Sequence, residues 1–242
     1  MQEDIGAAYS SKYIIIDFSI FNNEISNYIY NQKLQSVNGG DSILQSVPAY
    51  KFQQGKAQLY GGELSVDIHP IKQLHFENSF SSVYALNRGI PSKLLTDSNK
   101  YLPFIPPVHG ISELRYNFDN NPHSSFVNAF VKVQIAWYAA QDRAYLAYGT
   151  ETPTPGYTLF NAGFGGGFKN KKGKTVVNIF VMGDNLFDVA YFDHLSRLKY
   201  FLYGPEDTNP AHGIHNMGRN ISFKMDFPLD FMLKEKVSPE TN

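Results

Sequence analysis

At 242 residues the chain is long enough for one large all-β domain or two ordinary ones, so length alone leaves the architecture open. Its 21 Lys and Arg nearly cancel 22 Asp and Glu, which leaves no basic field for a phosphate backbone and argues against nucleic-acid partners. Cysteine is absent, which removes disulfides, thiolate zinc sites and cysteine nucleophiles, whereas 16 Tyr and 19 Phe make the chain rich in aromatics.

The first residues, MQEDIGAA at 1–8, lack a basic stretch followed by an apolar one, so no signal peptide is expected there. No run approaches the roughly 18 apolar residues of a membrane-spanning helix. That leaves a membrane β-barrel open, because barrel strands alternate and give a weak hydropathy signal. Wherever apolar residues recur regularly the spacing is two, and the chain reads as strands.

A long first strand is expected over 13–34. The next covers 60–68, with Leu64, Val66 and Ile68 on one face and Glu63, Ser65 and Asp67 on the other. A short turn, HPIK at 69–72, leads to a strand that sets Leu74, Phe76, Phe80 and Tyr84 against His75, Glu77, Ser79 and Ser81. Leu114, Tyr116 and Phe118 then oppose Glu113, Arg115 and Asn117, followed by an Asn- and Pro-rich turn at 119–124. Beyond it, Val127, Ala129, Val131, Val133, Ile135 and Trp137 are expected on one face and Asn128, Lys132 and Gln134 on the other. Hairpin arms at 157–168 and 175–187 are joined by NKKG at 170–173. The last strand, 219–228, alternates Ile221, Phe223, Met225 and Phe227 with Asn220, Ser222, Lys224 and Asp226. The tally is roughly eight strands.

Connections alternate in length. Those at 69–72, 119–125 and 170–174 are tight, and those at 35–56, 87–107, 143–156 and 190–218 are long. Outer-membrane barrels sort their loops in this way, with short turns at one rim and long loops at the other. Alternation alone fits a water-soluble antiparallel sheet equally well. Loop asymmetry and the surplus of Tyr and Phe favour lipid on the bulky side, so the expected fold is all-β, part of an antiparallel transmembrane β-barrel of up-and-down type.

Several collinear stretches carry a more specific signal: FNNEISNYI at 21–29, YGGELSV at 60–66, LPFIPP at 102–107, NIFVMGDNLFD at 178–188, DHLSR at 193–197 and GRNISF at 218–223. In order and spacing they resemble the barrel of TonB-dependent outer-membrane receptors, over nearly the whole chain. By that resemblance the complete barrel has about 22 strands around an N-terminal plug. Residues 1–231 would be the C-terminal segment of such a barrel and 232–242 a polar tail. The family commonly ends at an aromatic residue, whereas here Phe227 or Phe231 precedes that tail. The resemblance implies a bacterial outer-membrane location, contact with outer-membrane lipid, and active uptake of a scarce ligand such as a metal chelate or metal ion. It also implies an inner-membrane TonB partner acting through a plug that has no counterpart in these residues. No cofactor and no enzymatic activity are implied. The alternatives are a soluble β-sandwich that binds carbohydrate through loop aromatics, and a passive porin.

Seven histidines are present, of which His194, His212 and His215 fall in the last long loop with Asp193, Glu206 and Asp207. With Arg197 of the DHLSR stretch they form the candidate ligand-binding set, since imidazole suits zinc, copper and iron. Their spacing matches no zinc pattern, which leaves the metal unknown and makes loop anchoring by His194 and Arg197 an equal reading. DNLFD at 184–188 lacks the acidic spacing of a calcium loop and suits local Asx hydrogen bonding. Gly163, Gly165, Gly166 and Gly167 suit close backbone approach in a strand. No nucleophile elbow or HExxH spacing appears, so no catalytic residue is expected. Tyr145, Tyr148, Tyr157 and Trp137 are expected in an interfacial aromatic belt.

Overall fold

The computed structural model describes residues 1–44, 47–119, 124–200 and 213–228. The tail at 232–242, together with His212, Glu206, Asp207 and Phe231, lies outside them. Nine strands make one antiparallel sheet: β1 (Gln2–Ser10), β2 (Ile14–Lys33), β3 (Tyr50–Ile71), β4 (Leu74–Asn87), β5 (His109–Asn117), β6 (Phe126–Tyr138), β7 (Tyr157–Lys169), β8 (Thr175–Asp184) and β9 (Asn220–Asp226). Their order in space is their order in the chain, an up-and-down meander with β1 and β9 at its edges. Among the described residues no helix is long and apolar enough to cross a membrane, which says nothing of strands.

Antiparallel pairing sets alternating residues opposite one another, so each strand's alternation becomes a set of rows across the sheet. One row runs Leu74, Tyr116, Val131, Phe164, Val181, Phe223. Another joins Phe18, Leu64 and Phe80. Most of this face is uncovered, with Val131 at 44%, Phe164 at 57% and Phe223 at 59% exposure. Apolar surface left in water forgoes about 25 cal/mol per Å². This face therefore calls for a non-aqueous neighbour.

The opposite face is polar and bonded to itself. Asp67, Glu77, Glu113, Gln134 and Asn161 share one row. Lys132 Nζ and Gln134 Nε2 donate to Glu113 Oε2 at 2.9 and 3.0 Å, and Asn161 Nδ2 donates to Gln134 Oε1 at 2.8 Å. Glu113 and Lys132, two of the charges expected opposite the bulky side, are thus paired across strands and need no catalytic role.

Three features depart from expectation. The sheet has a ninth strand, β1, whose QEDIGAAYS sequence puts small alanines where bulky alternation would have marked it. β3 begins at Tyr50, inside the stretch read as loop, and β8 stops at Asp184 instead of near 187. Val127 lies on the other face from Val131. It pairs with Gly167 while Phe130 pairs with Gly165, so β6 carries one residue more than β7 opposite. The bulge sits at Asn128, whose φ of 52° is a left-handed value that Asn tolerates. Val127 consequently turns to the polar side and is 2% exposed. Phe126 turns outward beside Phe168, with ring centroids 4.9 Å apart.

The glycine run of β7 follows from packing. A Cβ on Gly165 would sit 2.5 Å from the Phe180 ring, and one on Gly166 would sit 2.4 Å from the Phe126 ring. Side chains from neighbouring strands fill the space that these two glycines leave.

Candidate functional site

The loops at 34–49, 88–108, 139–156 and 185–219 all leave the same end of the sheet, and the short turns leave the other. At the long-loop end, 88–108 folds back over the polar face. Leu102 and Ile105 of LPFIPP are buried with Ala57 and Ala85, packed against Ile25, Tyr28, Tyr30, Leu59 and Val83. The amide of Leu102 donates to Ala85 O at 3.1 Å and that of Asn87 to Lys100 O at 2.9 Å. Gln141, 1% exposed, holds the same loop by donating Nε2 to the carbonyls of Ile105 and Pro106 at 2.8 and 3.1 Å.

Glu151 joins three loops. Its carboxylate accepts the amide of Phe104 at 2.8 Å and that of Tyr145 at 3.0 Å, and Oε1 lies 3.6 Å from His194 Nε2. His194 is buried, with Nδ1 2.8 Å from Thr154 Oγ1 and 3.3 Å from Lys199 Nζ. Lys199 Nζ also donates to Thr154 Oγ1 at 3.1 Å. An ammonium donating to Nδ1 fixes the ring proton on Nε2, facing Glu151. Burial, reinforced by Lys199, pushes the His194 imidazole down to about 4. Burial likewise lowers Lys199 to about 8 and raises the Glu151 carboxyl above its usual range. At neutral pH the imidazole is therefore uncharged and the ammonium still protonated.

The candidate residues of the last loop do not form one cluster. His194 belongs to this buried knot. Arg197 lies over the rings of Tyr50 and Phe104, 4.7 and 4.8 Å from their centroids. His215 is exposed and stacks on Phe192, with centroids 4.1 Å apart. His212 is outside the described residues. Among the described residues, no group of three metal-ligating side chains includes His194 or His215. Glu151, Thr154 and Lys199 were passed over in the sequence because they stand about 40 residues from some of their partners, with no motif to mark them.

The aromatic belt is corrected in two places. Tyr145 is 2% exposed, packed edge-on against Tyr30 inside the loop cluster, and burial raises its phenol. Tyr157 lies on the polar face, in a row where His109 stacks on Tyr138 (5.4 Å), Tyr138 on Tyr157 (4.6 Å) and Tyr157 against Tyr191 (4.2 Å). Trp137 is on the bulky face beside Phe80, 6.1 Å away.

DNLFD, at the end of β8, clamps β7 to the residue that precedes β9. The Asn185 amide donates to Asn161 Oδ1 at 2.8 Å, and Asp188 Oδ1 accepts the amide of Arg219 at 2.9 Å.

Residues 2–186 match the family model described as TonB dependent receptor-like, beta-barrel. The chain belongs to the TonB-dependent receptor β-barrel family. No curated protein sequence matches it. Among solved structures this receptor segment is similar to the copper transporter OprC, at 18% identity and a TM-score of 0.72, over 93% of this chain and 30% of that one. It is also similar to the FrpB iron transporter from Neisseria meningitidis, at 16% identity and a TM-score of 0.60, over 93% and 31%. The ferric citrate transporter FecA matches at 18% identity and a TM-score of 0.56, over 93% and 30%. At these identities the likeness shows the fold, and the receptor segment spans about a third of each solved chain.

Proposed function

We propose that this chain forms part of the wall and outer loops of a bacterial outer-membrane transporter that takes up a metal ion or metal chelate with energy from a TonB partner. The observation that carries the reading is the two-sidedness of the sheet. A bulky uncovered face suits hydrocarbon, and a self-bonded polar face suits an aqueous lumen. Membership of a transporter family supports it, as do the copper and iron cargoes in the names of similar structures. The same reading makes the protein a transporter and not an enzyme, with residues 1–231 as barrel and 232–242 as a tail.

Ligand contact is assigned to the long-loop end. There the exposed His215 and the inward aromatic row of Tyr138, Tyr157 and Tyr191 offer surfaces, with His212 as a further candidate in the same loop. His194 and Arg197 act by holding the loops in place. The TonB partner acts through a plug, as the family resemblance implies.

The test is fractionation and uptake. The protein is expected in the outer-membrane fraction, and cells bearing it are expected to accumulate radiolabelled ferric or copper complexes only while the inner membrane is energised. Uptake that continues under a protonophore would indicate a passive porin. Recovery in the soluble fraction would count against a lipid-facing wall.

A further inference from the structure

At the end of the sheet opposite the loop knot, the β3–β4 hairpin brings Asp67, His69 and His75 together on the polar face. Asp67 and His69 are two residues apart on β3 and so share a side, and the tight turn returns β4 to place His75 beside them. His69 Nδ1 and His75 Nδ1 lie 3.1 and 3.2 Å from the same oxygen, Asp67 Oδ2. One ligand atom from each of the three residues falls within 4.8 Å of the other two. All three residues are half-buried.

The hydrogen bonding around these atoms is incomplete in a telling way. His75 Nε2 lies 3.3 Å from the carbonyl of Lys72, so both of its ring nitrogens face acceptors. A neutral imidazole has one N–H and serves only one of them. If Nε2–H donates to the carbonyl, the Nδ1 lone pair is aimed at a carboxylate. His69 Nδ1 and Asp67 Oδ1 are shielded from solvent and make no hydrogen bond among the described residues. A cation among these atoms removes each conflict, turning the lone pairs into ligand bonds. The Lys72 carbonyl then orients the His75 ring from behind, as outer-shell acceptors do for metal-bound histidines.

Spacing agrees. A tetrahedral ion with bonds of about 2.0–2.1 Å holds its ligand atoms about 3.3 Å apart, close to the two separations observed. Glu77, the register partner of Asp67, adds negative charge beside the site. Arg115, the partner of His75, is drawn off over the Phe130 ring, 4.1 Å from its centroid.

We propose that Asp67, His69 and His75 bind a borderline divalent transition-metal ion such as Zn²⁺, with a water in the open fourth position. The site lies at the short-turn rim, far along β3 from the loops, and rests on these side chains and not on the transport reading.

The test uses the intact protein purified from membranes in detergent and stripped with a chelator. Zn²⁺ binding is measured by equilibrium dialysis, and Co²⁺ serves as a spectroscopic probe of coordination. The wild type is expected to bind one equivalent more than His69→Ala/His75→Ala, and only the wild type to give the intense visible bands of tetrahedral Co²⁺. Asp67→Asn, which preserves shape, is read in the same way should the double variant fail to fold. Glu63→Gln, further along the polar face of β3, is expected to keep the equivalent. Equal binding by wild type and these rim variants, or no binding by the wild type, overturns the proposal and leaves a histidine–carboxylate pair without metal.

Discussion

The side-chain amide of Asn185 grips the backbone of Val189 twice, donating Nδ2 to its carbonyl at 2.9 Å and accepting its amide at Oδ1 at 2.8 Å. Asn185 is buried and holds φ at 48°, a left-handed value that costs Asn less than most residues. Local side-chain bonding therefore fixes where β8 ends and how the last loop departs.

Asn185→Ala deletes both bonds and strands the Val189 groups. These groups are part-buried, and at roughly 1 kcal/mol for each lost hydrogen bond the variant is expected to lose about 1–2 kcal/mol. A urea titration of protein folded into lipid vesicles measures the change, and an unmoved midpoint would show the clamp to be dispensable.

Val131 stands mid-row on the bulky face with Phe164 and Tyr116 as register partners. Val131→Arg is expected to weaken membrane insertion by about 2–4 kcal/mol if this row lies near the midplane. Lys132→Arg, one residue away on the polar face, is the control and is expected to insert normally. Equal insertion of both variants would mean that lipid does not wet the bulky side.

Glu151→Ala leaves the amides of Phe104 and Tyr145 without their acceptor. Both sit in the loop cluster, so local opening is expected to rise at least about tenfold while the strands are unaffected. Amide exchange at these two positions reads it. Unchanged exchange would show that the apolar packing of Leu102 and Ile105 holds the loop without the carboxylate.

The His194 knot carries a pH dependence with a definite sign. Its folded pKa is lowered to about 4 from 6.5, first by burial and then by Lys199. Above 6.5 the ring is neutral whether the loop is closed or open, and the closure energy is complete. As pH falls from 6.5 towards 4 the opened loop takes up a proton that the closed loop refuses, and closure weakens by up to about 3 kcal/mol. Glu151, raised by burial, pulls the other way, since the closed loop holds its proton to a higher pH. His194→Gln isolates the first effect. The protection factor of the Thr154 amide, its exchange corrected for the intrinsic rate at each pH, should fall more steeply with acid in the wild type than in the variant, and parallel profiles would contradict a neutral buried ring.

Strand existence and facing were legible from 60–68, 74–84 and 219–228, because a strand repeats every two residues and a few bulky side chains reveal its phase, whereas the turn expected at 69–72 falls at 72–73, β3 running on to Ile71. β1 was not legible, since small residues carry no phase. The bulge at Asn128 was missed for a related reason: one extra residue swaps the two faces without disturbing the apparent alternation on either side. Local sequence carries the loop position of His194, Arg197 and His215 but not their surroundings. That His194 is buried while His215 is exposed depends on contacts with Glu151 and Thr154, which lie about 40 residues from His194.

Local periodicity thus determined the kind of element, the two-sided character of the wall and the sorting of its connections. Only the tertiary structure decided the register, the interlocking of the loops and the meeting of Asp67, His69 and His75. Alternation is written into neighbouring side chains, whereas convergence depends on which distant backbones pair and where each turn brings the chain back.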